Sequence, residues 1–107
     1  GMKLIIAIVN SDDANGVTRA LTRNGFSSTR LSTTGGFLMA GNATILIGVD
    51  EERVQSAIDV IKEHCTSRKQ VLPASTDNSF GYSGASVEVS VGGATIFVVD
   101  IERFERV

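Results

Sequence analysis

At 107 residues with a formal net charge of -2, the chain has room for one domain built on one core. Hydrophobic residues make up 42% and charged residues 21%, with a single proline, a balance that suits a globular chain and excludes an intrinsically disordered one. Lys+Arg at 10 against Asp+Glu at 12 exclude the broad basic face that a polymeric nucleic acid demands, but leave room for a small phosphorylated ligand, which takes only local donors.

One cysteine, Cys65, rules out an internal disulfide. With neither a signal peptide nor a long apolar run, the expectation is a cytoplasmic protein without membrane insertion. Gly1 ahead of Met2 reads as an expression scar.

Lys3 to Val9 is a continuous apolar run rich in β-branched residues, which predicts a central strand buried on both faces. Asn10-Ser11-Asp12-Asp13 then supplies N-cap candidates and acidic charge for a helix start. Ala14, Val17, Ala20 and Leu21 follow at helical spacing, and Asn24-Gly25 ends the helix with a residue able to turn left-handed. Phe26 to Leu31 alternates as a second strand, and Ala43 to Val49 as a third. Asp50-Glu51-Glu52 opens a second helix whose inward stripe is Val54, Ala57, Ile58 and Ile61 and which frays near His64-Cys65-Thr66.

Arg68 to Leu72 suits a short edge strand, its charges discouraging stray pairing. Pro73 to Ser86 is a long polar loop, of a length more often functional or mobile than accidental. Val87 to Val91 alternates strictly, Gly92-Gly93 suits a tight turn, and Ala94 to Asp100 is a core strand, so the two strands are expected to form a hairpin. Ile101 to Val107 is expected to dock as a helical turn.

With Arg68–Val91 set aside as an insertion, the order is β-α-β-β-α-β, a single α+β ferredoxin-like domain over residues 1–107. Two helices would cover one face of a four-stranded antiparallel sheet, with an extra strand or hairpin before the last strand. The other face, this apolar, would present a patch of roughly several hundred Å2 to water, the size that marks an interface. A homo-oligomer with its open faces packed together is therefore expected.

The stretch that carries most functional signal runs from Thr29 to Thr44. Gly35-Gly36 offers backbone N–H groups free of side-chain obstruction, a nest for a phosphate or a base edge. Phe37 can stack on a base and Leu38 can form an apolar wall, while Asn42 both donates to and accepts from an adenine edge. The plain alternatives are an ordinary turn at Gly35-Gly36, subunit packing by Phe37 and local backbone capping by Asn42. Ser28 and Thr29 add hydroxyls at the end of a strand, and Arg30, Arg68 and Lys69 are candidate cations, each also at home on a solvated surface.

His64 and Cys65 have no partners at metal-ligand spacing, and adjacent helical residues point about 100° apart, too divergent for a catalytic pair. Cys65 reads as a small buried residue. The carboxylates at both helix starts are explained by capping and the helix dipole. With no nucleophile elbow, P-loop or dinucleotide fingerprint, the sequence offers nothing for enzymatic catalysis.

Three segments carry a resemblance: Lys3 to Val9, Ser32-Thr33-Thr34-Gly35-Gly36-Phe37-Leu38-Met39-Ala40-Gly41-Asn42, and Val87 to Val98 with its Val91-Gly92-Gly93-Ala94-Thr95-Ile96-Phe97 run. Together they resemble the PII-like cyclic di-AMP receptor family over nearly the whole chain. The resemblance implies a PII-like homotrimer of ferredoxin-like subunits that acts as a signal-transduction receptor. It would bind cyclic di-AMP in the clefts between neighbouring subunits and need no cofactor. The ligand-suited loop and the long polar Pro73–Ser86 segment add the expectation that ligand orders that segment and so presents or hides a surface for an unknown downstream protein partner.

By resemblance Thr29, Gly36, Phe37, Leu38, Asn42 and Gly48 fall at ligand positions, with Phe97 near the second base, and Gly35 joins them from the nest reading. The sequence departs from the family at Gly25 and Ser27, where many members carry Asn and Arg, and its Pro73–Ser86 segment is shorter. Two other readings fit the same residues: a PII-type sensor of another nucleotide or metabolite, and a structural trimeric module without a small-molecule ligand.

Overall fold

A computed structural model of the chain describes residues 1–31, 41–73 and 86–107. Its centre is β1 (Met2–Asn10), the β-branched run that wants partners on both edges. On one side it pairs antiparallel with β3 (Asn42–Asp50), from Met2 opposite Asp50 to Asn10 opposite Asn42. On the other it pairs with β6 (Ala94–Asp100), from Lys3 opposite Asp100 to Val9 opposite Ala94. β2 (Ser28–Arg30) joins the outer edge of β3, giving the order β2-β3-β1-β6. That is the expected ferredoxin-like plan.

Helix α1 (Ser11–Arg23) starts where the Asn10 side chain accepts the Asp12 backbone N–H at 2.8 Å, with Asp12 and Asp13 in the first turn. It buries Ala14, Val17, Ala20 and Leu21 and ends at Asn24, followed by Gly25 at φ +81. The chain then tucks Phe26 into the core, its N–H bonded to the Leu21 carbonyl at 2.9 Å. The strand expected from Phe26 therefore begins only at Ser28. A 3-10 turn (Glu51–Arg53) leads into α2 (Val54–Glu63), which buries Ala57 and Ile61 and leaves Val54 and Ile58 at the core margin.

Both helices cover one face of the sheet. Ile5, Ala7, Val9, Ala43, Ile45 and Ile47 point into that layer and are buried with Val17, Leu21 and Ile61. The alternate residues Leu4, Ile6, Ile8 and Leu46 are only half-buried. Burial of β1 on both faces is thus met on one face alone, because no second layer among the described residues covers the other. Cys65 is buried at the core margin, and Nδ1 of His64 donates to the Val60 carbonyl at 2.9 Å.

Two expectations are corrected here. β5 (Ser86–Val91) does not fold back on β6; it pairs with β4 (Arg68–Pro73), from Arg68 opposite Val91 to Pro73 opposite Ser86, as a separate two-stranded sheet. Gly92 and Gly93, at φ +87 and +75, redirect the chain from one sheet to the other, and β4 takes the ladder that β6 was expected to supply. The last residues form no helical turn. A single turn is an unfavourable nucleus, and Arg103 and Glu105 pair at 2.6 Å across a spacing of two, which extended backbone provides and a helix does not. Ile101 N–H bonds to the Met2 carbonyl at 3.1 Å, which starts the tail beside β1.

Candidate ligand-binding face

Register decides which side chains meet on the uncovered face. Thr29 lies opposite Leu46, Leu46 opposite Ile6, and Ile6 opposite Phe97, so one row crosses the whole sheet. The next row holds Gly48, Leu4 and Val99. Phe97 is 52% and Val99 44% exposed, large fractions for an aromatic and a β-branched side chain in a sheet. Period-two alternation turns Ser28 away, opposite the helix-facing Ile47, so of the two adjacent hydroxyls only Thr29 belongs to this face.

A cleft of about 490 Å3 opens at one end of the face, lined by Met2, Leu4, Ser27, Thr29, Leu46 and Gly48, with Phe104, Glu105 and Arg106 of the tail as its further wall. A smaller cavity of about 180 Å3 shares Met2, Ser27 and Gly48 with it and adds Gly25, Phe26, Val49, Asp50 and Arg53. Gly48 keeps the floor low: a Cβ there would meet only Cε of Met2, at 3.8 Å. At the far end, a cavity of about 330 Å3 is lined by Ile8, Asn10, Asn42, Gly92, Gly93 and Thr95. From Asn42 to Gly48 the extended strand covers about 20 Å.

The structure therefore brings Thr29 and Gly48 together, places Phe97 in the same row as Thr29 at the opposite edge, and puts Asn42 at the other end of the face. Gly35, Gly36, Phe37 and Leu38 lie outside the described residues. Arg30 turns toward the helix layer, where Nη1 donates to Asn15 Oδ1 at 3.2 Å, and Lys69 pairs with Glu88 at 3.2 Å. Sequence reasoning missed Arg53 and the Phe104–Arg106 wall. Nothing in the sequence announces the wall, and Arg53 sits among acidic residues that attract attention first.

Electrostatics at the edge of the sheet are local. Lys3 and Asp100 link β1 to β6; their hydrogen bond and mutual charge raise the Lys3 pKa above its usual 10.5 and lower that of Asp100 below its usual 3.8. Among the described residues no group of three or more His, Cys, Asp or Glu is placed to hold a metal ion, and no helix is long and apolar enough to cross a membrane.

Residues 2–107 match the family described as Cyclic-di-AMP receptor. The chain belongs to the cyclic-di-AMP receptor family. Among solved structures, a functionally unknown protein from Pediococcus pentosaceus ATCC 25745 is 39% identical, with 99% of this chain and 97% of that one covered and a TM-score of 0.73. Arabidopsis thaliana PII bound to citrate is 21% identical, covers 99% of this chain and 80% of that one, and has a TM-score of 0.65. At that identity the PII likeness speaks for the fold. This member of the cyclic-di-AMP receptor family thus has a PII-like ferredoxin fold whose second sheet face carries an apolar row and a cleft.

Proposed function

We propose that this protein is a non-enzymatic, cytoplasmic receptor that works as a single-domain homotrimer and binds cyclic di-AMP between its subunits. The observation that carries the reading is the division of the site within a family that is described by this ligand. Thr29 and Gly48 line a cleft at one end of the uncovered face, while Asn42, whose amide is suited to an adenine edge, stands about 20 Å away along β3. One copy cannot bring these groups onto one ligand; two copies packed face to end can. The apolar row of Leu46, Ile6 and Phe97 supplies the surface that such packing would bury.

In this arrangement one subunit offers Thr29 and Gly48, and its neighbour offers Asn42 with the preceding Gly35, Gly36, Phe37 and Leu38. Phe97 lies at the boundary, near the second base. Ligand binding would order the Pro73–Ser86 segment at the end of the β4–β5 ribbon and so change the surface shown to a downstream protein, a population shift driven by differential affinity. Calorimetry with cyclic di-AMP, cyclic di-GMP and ATP, beside light scattering of the free protein, tests the reading. A trimer that binds cyclic di-AMP and discriminates against the other two is expected. Preference for ATP would favour a sensor of another nucleotide, and a trimer silent to all three would favour a structural module.

A further inference from the structure

A ligand with phosphodiester groups brings negative charge, and the cleft must meet it. The cations whose side chains the structure describes, which leaves Arg68 aside, can be taken in turn. Lys3 is held by Asp100, Arg30 faces the helix layer, Lys69 is paired with Glu88 and Arg103 with Glu105. Arg19 and Arg23 line a depression on α1 with Thr18 and Thr22, and Lys62 is exposed on α2. Beside the cleft stand Arg53 and, on the tail, Arg106.

Arg53 is the better organised of the two. Its guanidinium lies 4.1 Å from the centroid of the Phe26 ring, and Nη2 donates to the Asn24 carbonyl at 2.9 Å. Stacking and hydrogen bond together fix the plane of the fork, so little rotamer entropy is left to lose on binding. A guanidinium carries five N–H donors, and the Asn24 carbonyl takes one. Among the described residues Arg53 makes no ion pair. Gly25, at φ +81, turns the chain beside this seat, where a Cβ would make only ordinary contact with Nη2 at 3.7 Å.

Carboxylates also border these cavities. Glu105 is engaged by Arg103, whereas Asp50 stands exposed at the rim beside Arg53. The shared lining of Met2, Ser27 and Gly48 makes the Arg53 cavity a side pocket of the cleft rather than a separate site.

We infer that Arg53 is the anion-reading residue of the cleft, its guanidinium held on Phe26 and by Asn24 so that the free donors meet a phosphodiester at the Ser27–Gly48 rim. The inference rests on the proposed ligand and deepens it, by assigning the charge that Arg30 and Lys69 do not bring to the cleft.

The test is calorimetry of cyclic di-AMP with the full chain and with R53Q, R53K and K62Q, at low and at high salt, each protein also melted without ligand. R53Q should bind about 10- to 100-fold more weakly, the range for losing a charge-assisted hydrogen bond, and its affinity should depend less on salt than that of the unmodified chain. R53K keeps the charge but loses the fork and the stack, and should fall between. K62Q, which removes the same charge from α2, should bind normally. Should R53Q not fold, an R53K that melts normally and binds more weakly carries the inference. Normal affinity in R53Q or R53K overturns it, as does a weakening in R53Q whose salt dependence is unchanged. If the unmodified chain does not bind, the proposed ligand is wrong and the inference falls with it.

Discussion

Gly48 offers a way to separate the cleft from the stability of the sheet that forms its floor. It sits in β3 opposite Leu4, and a Cβ there would find only Cε of Met2, at the ordinary contact distance of 3.8 Å. Alanine therefore fits. It should also stabilise the chain, because glycine within a strand is worse than alanine by about 0.5–1 kcal/mol. At roughly 4–8 °C per kcal/mol for a domain near this size, the melting midpoint should rise by about 2–8 °C. Leucine shares that backbone benefit, but its outer carbons project into the cleft of about 490 Å3 between Met2, Thr29 and Phe104. G48L should stay folded while cyclic di-AMP affinity drops at least 100-fold, a loss of about 2.7 kcal/mol. Circular-dichroism melts and calorimetry on the same preparations read both quantities. A folded G48L that binds normally would refute the placement of the ligand, and a G48A that melts well below the unmodified chain would refute the account of the floor.

Other perturbations address the remaining layers. Ile47 is fully buried against the helices, so I47A should lower unfolding free energy by about 2–5 kcal/mol in urea titrations; a loss below about 1 kcal/mol would mean that the helix layer is loosely packed. Phe97 is half-exposed in a lone chain, so F97E should leave secondary structure intact while light scattering shows the 11.3 kDa monomer in place of the proposed trimer. A trimer of unchanged stability would move the interface elsewhere. The Lys3–Asp100 pair predicts a pH dependence of definite sign. Asp100 has its pKa lowered, so its contribution is present above about 3.8 and fades as pH falls through the lower folded value. Lys3 has its pKa raised, so its contribution is complete below about 10.5 and fades as pH rises through the higher folded value. Carboxyl NMR titration should show the Asp100 midpoint rising in K3Q; an unmoved midpoint would contradict the pairing.

The order of elements was legible because each leaves a local mark. Lys3–Val9 is too apolar for an edge strand, Ala14-Val17-Ala20-Leu21 has helical spacing, and Asn10 and Gly25 punctuate the first helix at both ends. Partner choice leaves no such mark. The alternation of Val87–Val91 announces a strand without saying whether β6 or β4 will hold it, and the glycine pair that suggested a hairpin equally suits a change of sheet. The same limit applies to the site. Thr29, Gly48 and Phe97 share a face only through the register of four strands, and that register sends Asn42 to the far end. Arg53 was overlooked because its sequence neighbours, Glu51 and Glu52, fit a helix start; its stack on Phe26 is a tertiary contact that spacing cannot reveal.

A crystal structure of the protein grown with cyclic di-AMP tests the central claim most directly. The account predicts a trimer with the dinucleotide between neighbours, touching Thr29 and Gly48 of one subunit and Asn42 of the next. Subunits whose Phe104–Arg106 tails fill that cleft, with the nucleotide absent or bound elsewhere, would contradict it.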